Sequence, residues 1–351
     1  MIYYLTEGFS VCGYSERAHT IRWTRNYLER GRFKMVIDAA DLPAAAAYVY
    51  NTFNGETARI DRCRYVRTGK GWRMATLEGS SLEAIFDGRV ISPSSVRYGE
   101  TLGIAKKLVE LNASASANSG SIGGSFGVTG KSRAIAGLVL ADNSQQPLYT
   151  GCMICQEFGG ETLEEGLRTI LSPFDLTYRI LRAPGSAVLT FLVVRGVDRS
   201  GAGSATRVLF SEHLGECGIR ENAQDFTRRY NCVIIGNSDY HSWREFPDGK
   251  PLRELFAQGP SKTSLSTVGA TGNGMQYAAQ QALNKANRPA AIELEIASTA
   301  YPRYRIDYDL GDLCMLHFPS RGMQGAMRLT SVEENSCSDD LLRLTFEASR
   351  V

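Results

Sequence analysis

The sequence predicts a β-rich α+β protein in which antiparallel β-barrel or β-sandwich domains flank an inserted α+β module. Apolar and charged residues alternate in three segments near the end of the chain, as in strands with one solvated face: 292–296, 305–310 and 342–347. Amphipathic helices are predicted at Thr101–Leu111 and Glu161–Leu171. We expect three domains, a β-rich one, the inserted module and a second β-rich one: 1–100, 101–195 and 196–351.

The first hundred residues are predicted to form strands joined by short helices. Alternating apolar residues from 33 to 37 predict a β-hairpin between Trp23 and Asp38. Further strands are expected at 58–67 and 72–77. One short helix is expected at 44–48, capped by Asp41, and another is expected to open with a capping box from Ser80 to Glu83 and to reach Phe86.

The middle and later parts of the chain carry weaker signals. Residues 112–130 are almost all Ser, Ala, Asn and Gly. They cannot bury enough apolar surface to offset the entropy lost on ordering, so a mobile loop is expected there. A capping box is predicted from Thr162 to Glu165, followed by paired strands at 176–181 and 187–194. Residues 241–266 are expected to be irregular and residues 275–287 to be helical. Three apolar runs predict a compact β unit in mid-chain: 191–194, 208–210 and 232–235.

Composition narrows the class of protein. Hydrophobic residues make up 43% of the 351 residues and charged residues 22%, as in ordinary globular proteins. The formal net charge of +2 gives no strong field for nucleic acid or an anionic membrane. No secretory signal and no membrane insertion are expected. The eight cysteines are expected to be buried or free thiols.

Four arginines share one predicted strand: Arg59, Arg62, Arg64 and Arg67. A solvated or intersubunit face is the preferred interpretation, because the balanced net charge does not favour a polyanion. Nucleic-acid binding through this strand stays the alternative and would require a strong salt dependence.

The motifs that suggest catalysis are incomplete. Ser125 lies in a Gly-Gly-Ser-Phe-Gly run that matches the nucleophile elbow, but no strand is predicted before it. Lys131 and Ser132 resemble the end of a phosphate-binding loop whose first glycine position also falls on Ser125. No catalytic residue and no cofactor is therefore predicted, and we expect the protein not to be an enzyme.

Metal-binding patterns are equally partial. Cys152 and Cys155 have the spacing of half a zinc site or of a redox pair, and no second such pair exists. Cys217, His213 and His241 could complete a site only through the tertiary fold. Structural thiols are therefore the preferred interpretation.

Three acidic residues invite a calcium interpretation, because hard cations prefer oxygen ligands: Asp307, Asp309 and Asp312. A solvated strand face and a strand-ending turn are the preferred interpretation. The four histidines stand in no recognisable triad or metal spacing: His19, His213, His241 and His317. No metal site is predicted.

The order of several motifs resembles the baseplate hub proteins of long-tailed phages, including the siphovirus tail hub and the N-terminal hub part of tail-associated lysins. In mid-chain these motifs are Gly-Val-Asp-Arg-Ser at 196–200, Val-Leu-Phe-Ser at 208–211 and Arg-Tyr-Asn at 229–231 before Gly236. Elsewhere they are Trp23, Tyr27 and Gly31, Gly79–Leu82, and Tyr308–Asp312. The resemblance extends over roughly residues 9–111 and 160–351.

The resemblance implies a structural virion protein of a phage or prophage. Three copies with β-barrel hub domains would continue the tail tube and surround the channel through which DNA passes. A tail tube or distal tail protein would lie above this homotrimer, and a tip, spike or fibre protein below it. Assembly would take place in the cytoplasm of the host bacterium. The alternative is a cell-wall-directed hydrolase at the tail tip, using Ser125 or a Cys/His pair.

Overall fold

A computed structural model describes most of the chain, and the statements below concern these residues: 1–16, 18–67, 73–91, 95–114, 133–142, 153–201, 207–212, 217–223, 230–236, 241–245, 251–258, 278–280, 282–283, 286, 291–321, 323–335 and 341–348. The protein is a strand-rich α+β protein with a large antiparallel sheet, as the sequence predicts. The expected loop at 112–130 lies almost entirely outside the described residues.

The first part of the chain consists of short strands that follow one another closely: β1 (Ile2–Leu5), β2 (Val11–Ser15), β3 (Thr20–Asn26), β4 (Arg32–Asp38), β5 (Tyr48–Asn51), β6 (Glu56–Arg67) and β7 (Arg73–Ser81). The predicted hairpin is confirmed, because β3 and β4 pair antiparallel with Trp23 opposite Phe33. The strands predicted at 58–67 and 72–77 correspond to β6 and β7.

The middle of the chain adds two α-helices among further strands: β8 (Ser95–Glu100), α1 (Thr101–Asn112), β9 (Leu138–Leu140), β10 (Met153–Phe158), α2 (Leu163–Leu171), β11 (Thr177–Arg182) and β12 (Leu189–Val194). Both predicted helices and the predicted antiparallel pair β11–β12 are confirmed. At the start of α2, Thr162 and Glu165 form the predicted capping box. A core that includes Phe86, Phe158 and Phe191 packs the helices against these sheets.

The last part of the chain returns to strands: β13 (Leu209–Ser211), β14 (Cys217–Ala223), β15 (Cys232–Gly236), β16 (His241–Glu245), β17 (Glu254–Gln258), β18 (Ala291–Ala297), β19 (Leu313–Phe318), β20 (Met323–Asn335) and β21 (Leu341–Ala348). The alternating segments 292–296 and 342–347 form β18 and β21, which pair antiparallel. Residues 278–280, 282–283 and 286 are helical, in agreement with the predicted helix.

One sheet joins the two ends of the chain. The strand order in this sheet is β14-β18-β21-β20-β3-β4-β7-β6-β5-β1-β2. In addition, β19 pairs with β20, and β13 pairs with β19. The connection between early and late strands is the antiparallel pair β20–β3. No pairing among the described strands closes this sheet, so the barrel stays a prediction. The division at residues 100 and 195 also stays a prediction.

The compact mid-chain β unit is a wrong prediction. Its three apolar runs form strands, but β12 pairs with β11 and β9, β13 with β19, and β15 with β16 and β17. These are three different sheets. A short apolar run predicts a buried strand without specifying its partner, because pairing depends on residues far away in the chain.

Two of the local predictions near the start of the chain fail because other hydrogen bonds compete. No helix forms at 44–48, since the N–H of Ala47 donates to the carbonyl oxygen of Leu5 in β1. The Ser80–Glu83 capping box is also wrong. Ser80 lies in strand β7, and its hydroxyl donates a hydrogen bond to the carboxylate of Asp61 at 2.6 Å. The short helix that follows is a 3₁₀ helix at Leu82–Phe86, which begins after Ser81 and has no side-chain cap.

Two later predictions are wrong as well. Residues 305–310 form turns rather than a strand, because Arg305 has a left-handed φ of 66° that interrupts the extended chain. Residues 241–266 are not irregular where the structure describes them, since β16 and β17 flank β15 in a three-stranded sheet. The apolar run of β15 provides the pairing partner that these two more polar strands need.

Candidate functional site

The residues that suggested catalysis lie in different sheets or outside the described part of the chain. Ser125, Lys131, Ser132, Cys152 and His213 lie outside the described residues. The strands that carry the other candidates belong to three different sheets: Cys155 in β10, Cys217 in β14 and His241 in β16. Within the described residues, no cluster of His, Cys, Asp and Glu is arranged to hold a metal ion.

The three acidic residues of the calcium interpretation bind the protein itself. Asp307 accepts a hydrogen bond from the N–H of Arg303 at 2.7 Å, and Asp309 forms an ion pair with Arg25 at 3.1 Å. Asp312, which was predicted to lie in a strand-ending turn, is buried. Its carboxylate receives hydrogen bonds from the N–H of Val197 at 2.7 Å and from Nε of Arg199 at 2.5 Å.

These contacts of Asp312 are part of a buried cluster that connects the large sheet to the middle of the chain. We call it the junction and define it by six residues: Tyr27, Asp175, Gly196, Gly311, Asp312 and Arg328. Four of them belong to motifs that the sequence singled out, in three segments that are far apart in the chain. The structure brings these segments into direct contact.

The two glycines of the junction allow a close approach of backbones. A Cβ on Gly196 would lie 1.6 Å from the carbonyl oxygen of Gly311. A Cβ on Gly311, whose φ of 95° is itself unfavourable for other residues, would lie 2.2 Å from the ring of Tyr27. Only residues without a side chain fit at these two positions.

The hydroxyl of Tyr27 connects two backbone segments. It donates to the carbonyl oxygen of Asp175 at 2.8 Å and accepts from the N–H of Gly196 at 3.0 Å. Burial raises the pKa of Tyr27 to about 12, so the hydroxyl keeps the proton that it donates. Tyr27 therefore satisfies two buried backbone groups at once.

A buried ion pair completes the junction. Arg328 lies 3.2 Å from the carboxylate of Asp175, and their side chains are only 7% and 5% exposed. Arg328 also donates to the carbonyl oxygen of Gly311 at 2.6 Å, and its guanidinium lies 5.8 Å from the ring centre of Tyr27. This ion pair was not predicted from the sequence. The available signal was Arg328 itself, a charged residue between the apolar residues Met327 and Leu329, which is a pattern that can indicate a buried ion pair.

A polar groove of about 970 Å³ lies between the large sheet and α2. Its charged side chains pair with one another: Glu164 accepts from Nε of Arg30 at 2.9 Å and from Arg168 at 2.5 Å. Lys34 on the opposite wall lies 2.9 Å from Glu78. Of these pairs, Arg30–Glu164 links α2 to the turn between β3 and β4, whereas Lys34–Glu78 lies within the sheet.

An exposed strand segment contrasts with these buried contacts. β6 pairs with β5 only through Glu56–Arg59, and the N–H of Ile60 donates to Ala47. The rest of β6, residues 61–67, pairs with β7 on one side and is exposed along its whole length. We call residues 61–67 the β6 edge. Three of the four arginines of the predicted strand lie on it: Arg62, Arg64 and Arg67.

The described residues therefore form a scaffold with buried, internally paired charges and an exposed, open edge along β6. Thiol chemistry is also disfavoured at Cys314, because burial raises the pKa of this thiol, and so does the nearby Asp312. No helix in the described part of the chain is long and apolar enough to span a membrane.

The same fold occurs in solved structures of phage tail proteins. The tail protein from Neisseria meningitidis MC58 matches with a TM-score of 0.57 and 14% identity, over 99% of this chain and 96% of its own. For the 43 kDa tail protein of prophage MuSo2 from Shewanella oneidensis, the TM-score is 0.59 and the identity 13%, over 99% of this chain and 98% of that protein. For a prophage tail protein from Listeria monocytogenes EGD-e, the TM-score is 0.55 and the identity 8%, over 99% of this chain and 94% of that protein.

A family model identifies the family within this class. The model described as Siphovirus ReqiPepy6 Gp37-like protein matches residues 5–346, nearly the whole chain. The chain belongs to this family. Among curated proteins none matches the sequence.

Proposed function

We propose that this protein is the trimeric hub of a phage or prophage tail, which continues the tail tube and surrounds the channel for DNA. The observation that carries the proposal is the family match over residues 5–346. The hub would connect a tail tube or distal tail protein above to a tip, spike or fibre protein below. Assembly would take place in the cytoplasm of the host bacterium, before the tail becomes part of the virion.

The geometry of the described residues supports a structural role. The buried charges of the junction are paired within the chain, so the loss of either partner would destabilise the fold. This pairing fits a structural role better than acid–base catalysis. The exposed segment of β6 supports an assembly role, because proteins usually cover or pair such edges. A scaffold of this kind acts by holding neighbouring proteins in position.

The oligomeric state tests the proposal. Light scattering of the purified chain should give three times the chain mass of 38.5 kDa, and negative-stain images should show a ring with a central hole. The same stoichiometry should appear when purified tails are cross-linked through lysines and probed with an antibody against this chain. Monomers in solution together with a stoichiometry other than three in tails would contradict the proposal.

A further inference from the structure

The β6 edge offers unpaired backbone groups to the solvent. Beyond Ile60, no backbone hydrogen bond occupies the side of β6 that faces away from β7 in the described part of the chain. Residues 61–67 provide roughly 23 Å of open strand at about 3.3 Å per residue. An open edge of this length is a template for another strand.

Both faces of the β6 edge carry exposed apolar side chains. Cross-strand partners share a face, so Tyr65 lies on the face of its partner Ala75, and Val66 on the opposite face with Met74. Tyr65 is 68% exposed and Val66 is 54% exposed. A partner that covers this edge must therefore contact apolar groups on two sides.

The charge of the β6 edge is strongly positive. Arg67 lies directly opposite Arg73 in β7, and like charges at such positions destabilise a strand pair. On the other face, Arg62 and Arg64 flank Glu78, whose pKa is lowered first by Lys34 and then by these arginines. The two carboxylates here already have cations of their own, because Asp61 pairs with Arg59 at 2.7 Å and Glu78 with Lys34 at 2.9 Å. They do not balance the three arginines of the β6 edge, so an anionic partner complements the surface.

We propose that the β6 edge binds an extended acidic segment of a partner protein, which adds to the sheet as a further strand. A protein segment fits better than DNA, because the open edge presents N–H and C=O groups and a phosphate backbone can only accept. Each edge strand in the described part of the chain has at most one acidic residue, so none of them supplies the acidic complement. We therefore take a different protein as the partner.

Synthetic peptides test the proposal on the full chain. The probe is a fluorescent heptapeptide of alternating glutamate and valine, and its binding is measured by fluorescence anisotropy. One control peptide has N-methyl groups on alternate residues, which blocks strand pairing but keeps the charge. A second control replaces glutamate by glutamine. We expect the unmodified peptide to bind at least tenfold more tightly than either control.

Variants of the chain locate the binding site. Arg64→Glu combined with Arg67→Glu should weaken peptide binding at least tenfold, and the milder Arg67→Thr should weaken it severalfold. Lys107→Glu is the control, because this exposed lysine lies on α1 and pairs with Glu110. Peptide binding should also slow amide hydrogen exchange at residues 61–67.

Several outcomes would overturn the proposal. Equal binding of the N-methylated peptide would show charge attraction without strand pairing. Binding of a 20-nucleotide DNA in place of the peptide would identify a nucleic-acid surface. A change in oligomeric mass caused by Arg67→Thr, with no peptide binding, would show that a second copy of this chain occupies the edge. Absence of binding by every probe would also refute it.

Discussion

The junction and the β6 edge use the same residue type in opposite ways. Arg328 in the junction is 7% exposed and contacts a carboxylate, a carbonyl oxygen and an aromatic ring. Arg67 on the β6 edge is exposed and lies opposite another arginine. A buried charge is tolerated only when the fold provides its partners, because it has lost its contacts with water. An exposed charge remains hydrated and can bind a group on another molecule. The junction therefore stabilises the chain, and the edge is available for assembly.

The largest expected effect comes from overlap in the junction. In Gly196→Ala, the new Cβ would collide with the backbone of Gly311, which cannot move aside as a flexible side chain could. We expect the free energy of unfolding to fall by about 5 kcal/mol or more, measured by urea unfolding with circular dichroism. Gly201→Ala is the control, because nothing lies within 4 Å of a Cβ there. Similar losses in both variants would contradict this account of the junction.

Breaking the ion pair should have the next largest effect. Arg328→Met leaves the buried Asp175 without its cation, at an expected cost of about 3–5 kcal/mol in the free energy of unfolding. Adding Asp175→Asn removes the orphaned charge and keeps a residue type that tolerates the φ of 54° at this position. The double variant should therefore be more stable than Arg328→Met. Simple additivity of the two losses would show that the residues do not interact.

Removing one hydroxyl should have a moderate effect. Tyr27→Phe leaves the N–H of Gly196 without its acceptor and the carbonyl oxygen of Asp175 without this donor. We expect a loss of about 1–3 kcal/mol, again from urea unfolding. Tyr14→Phe, at a position that is 55% exposed, should change stability by less than about 0.5 kcal/mol. If Tyr27→Phe were as harmless as this control, the hydroxyl would not bridge the two segments.

The smallest expected effect has the opposite sign and concerns the β6 edge. Arg67→Thr removes the repulsion with Arg73 and introduces a residue with high β propensity. We expect the isolated chain to gain about 0.5 kcal/mol in stability, while its binding to the acidic peptide decreases. A loss of stability would mean that Arg67 already has a stabilising role within the chain.

The same contrast explains which features the sequence predicted. The capping box of α2 and the alternation in β18 and β21 depend on residues close in the chain, so local patterns sufficed. The alternation at 305–310 led to a wrong strand prediction, because Arg305 has a left-handed conformation that turns the chain. Tyr308 is nevertheless in the core, with its ring centre 5.2 Å from that of Phe210, so the apolar pattern was present without a strand.

The candidate site was only partly predictable. Tyr27, Gly196 and Gly311 stood out as motif residues, but their contacts with one another could not be inferred from spacing. Asp175 and Arg328 lie 153 residues apart in sequence, so no local pattern pairs them. The openness of the β6 edge follows from where β5 begins, at Tyr48 opposite Arg59, which the sequence does not reveal.

Hydrogen exchange compared between the isolated chain and purified tails tests the central claim most directly. The account predicts slow exchange around Tyr27, Gly196 and Gly311 in both states, because the junction is complete within one chain. The amides of residues 61–67 that point away from β7 should exchange rapidly in the isolated chain and slowly in tails, where a partner strand covers them. Unchanged exchange at residues 61–67, together with new protection at the junction, would contradict the account.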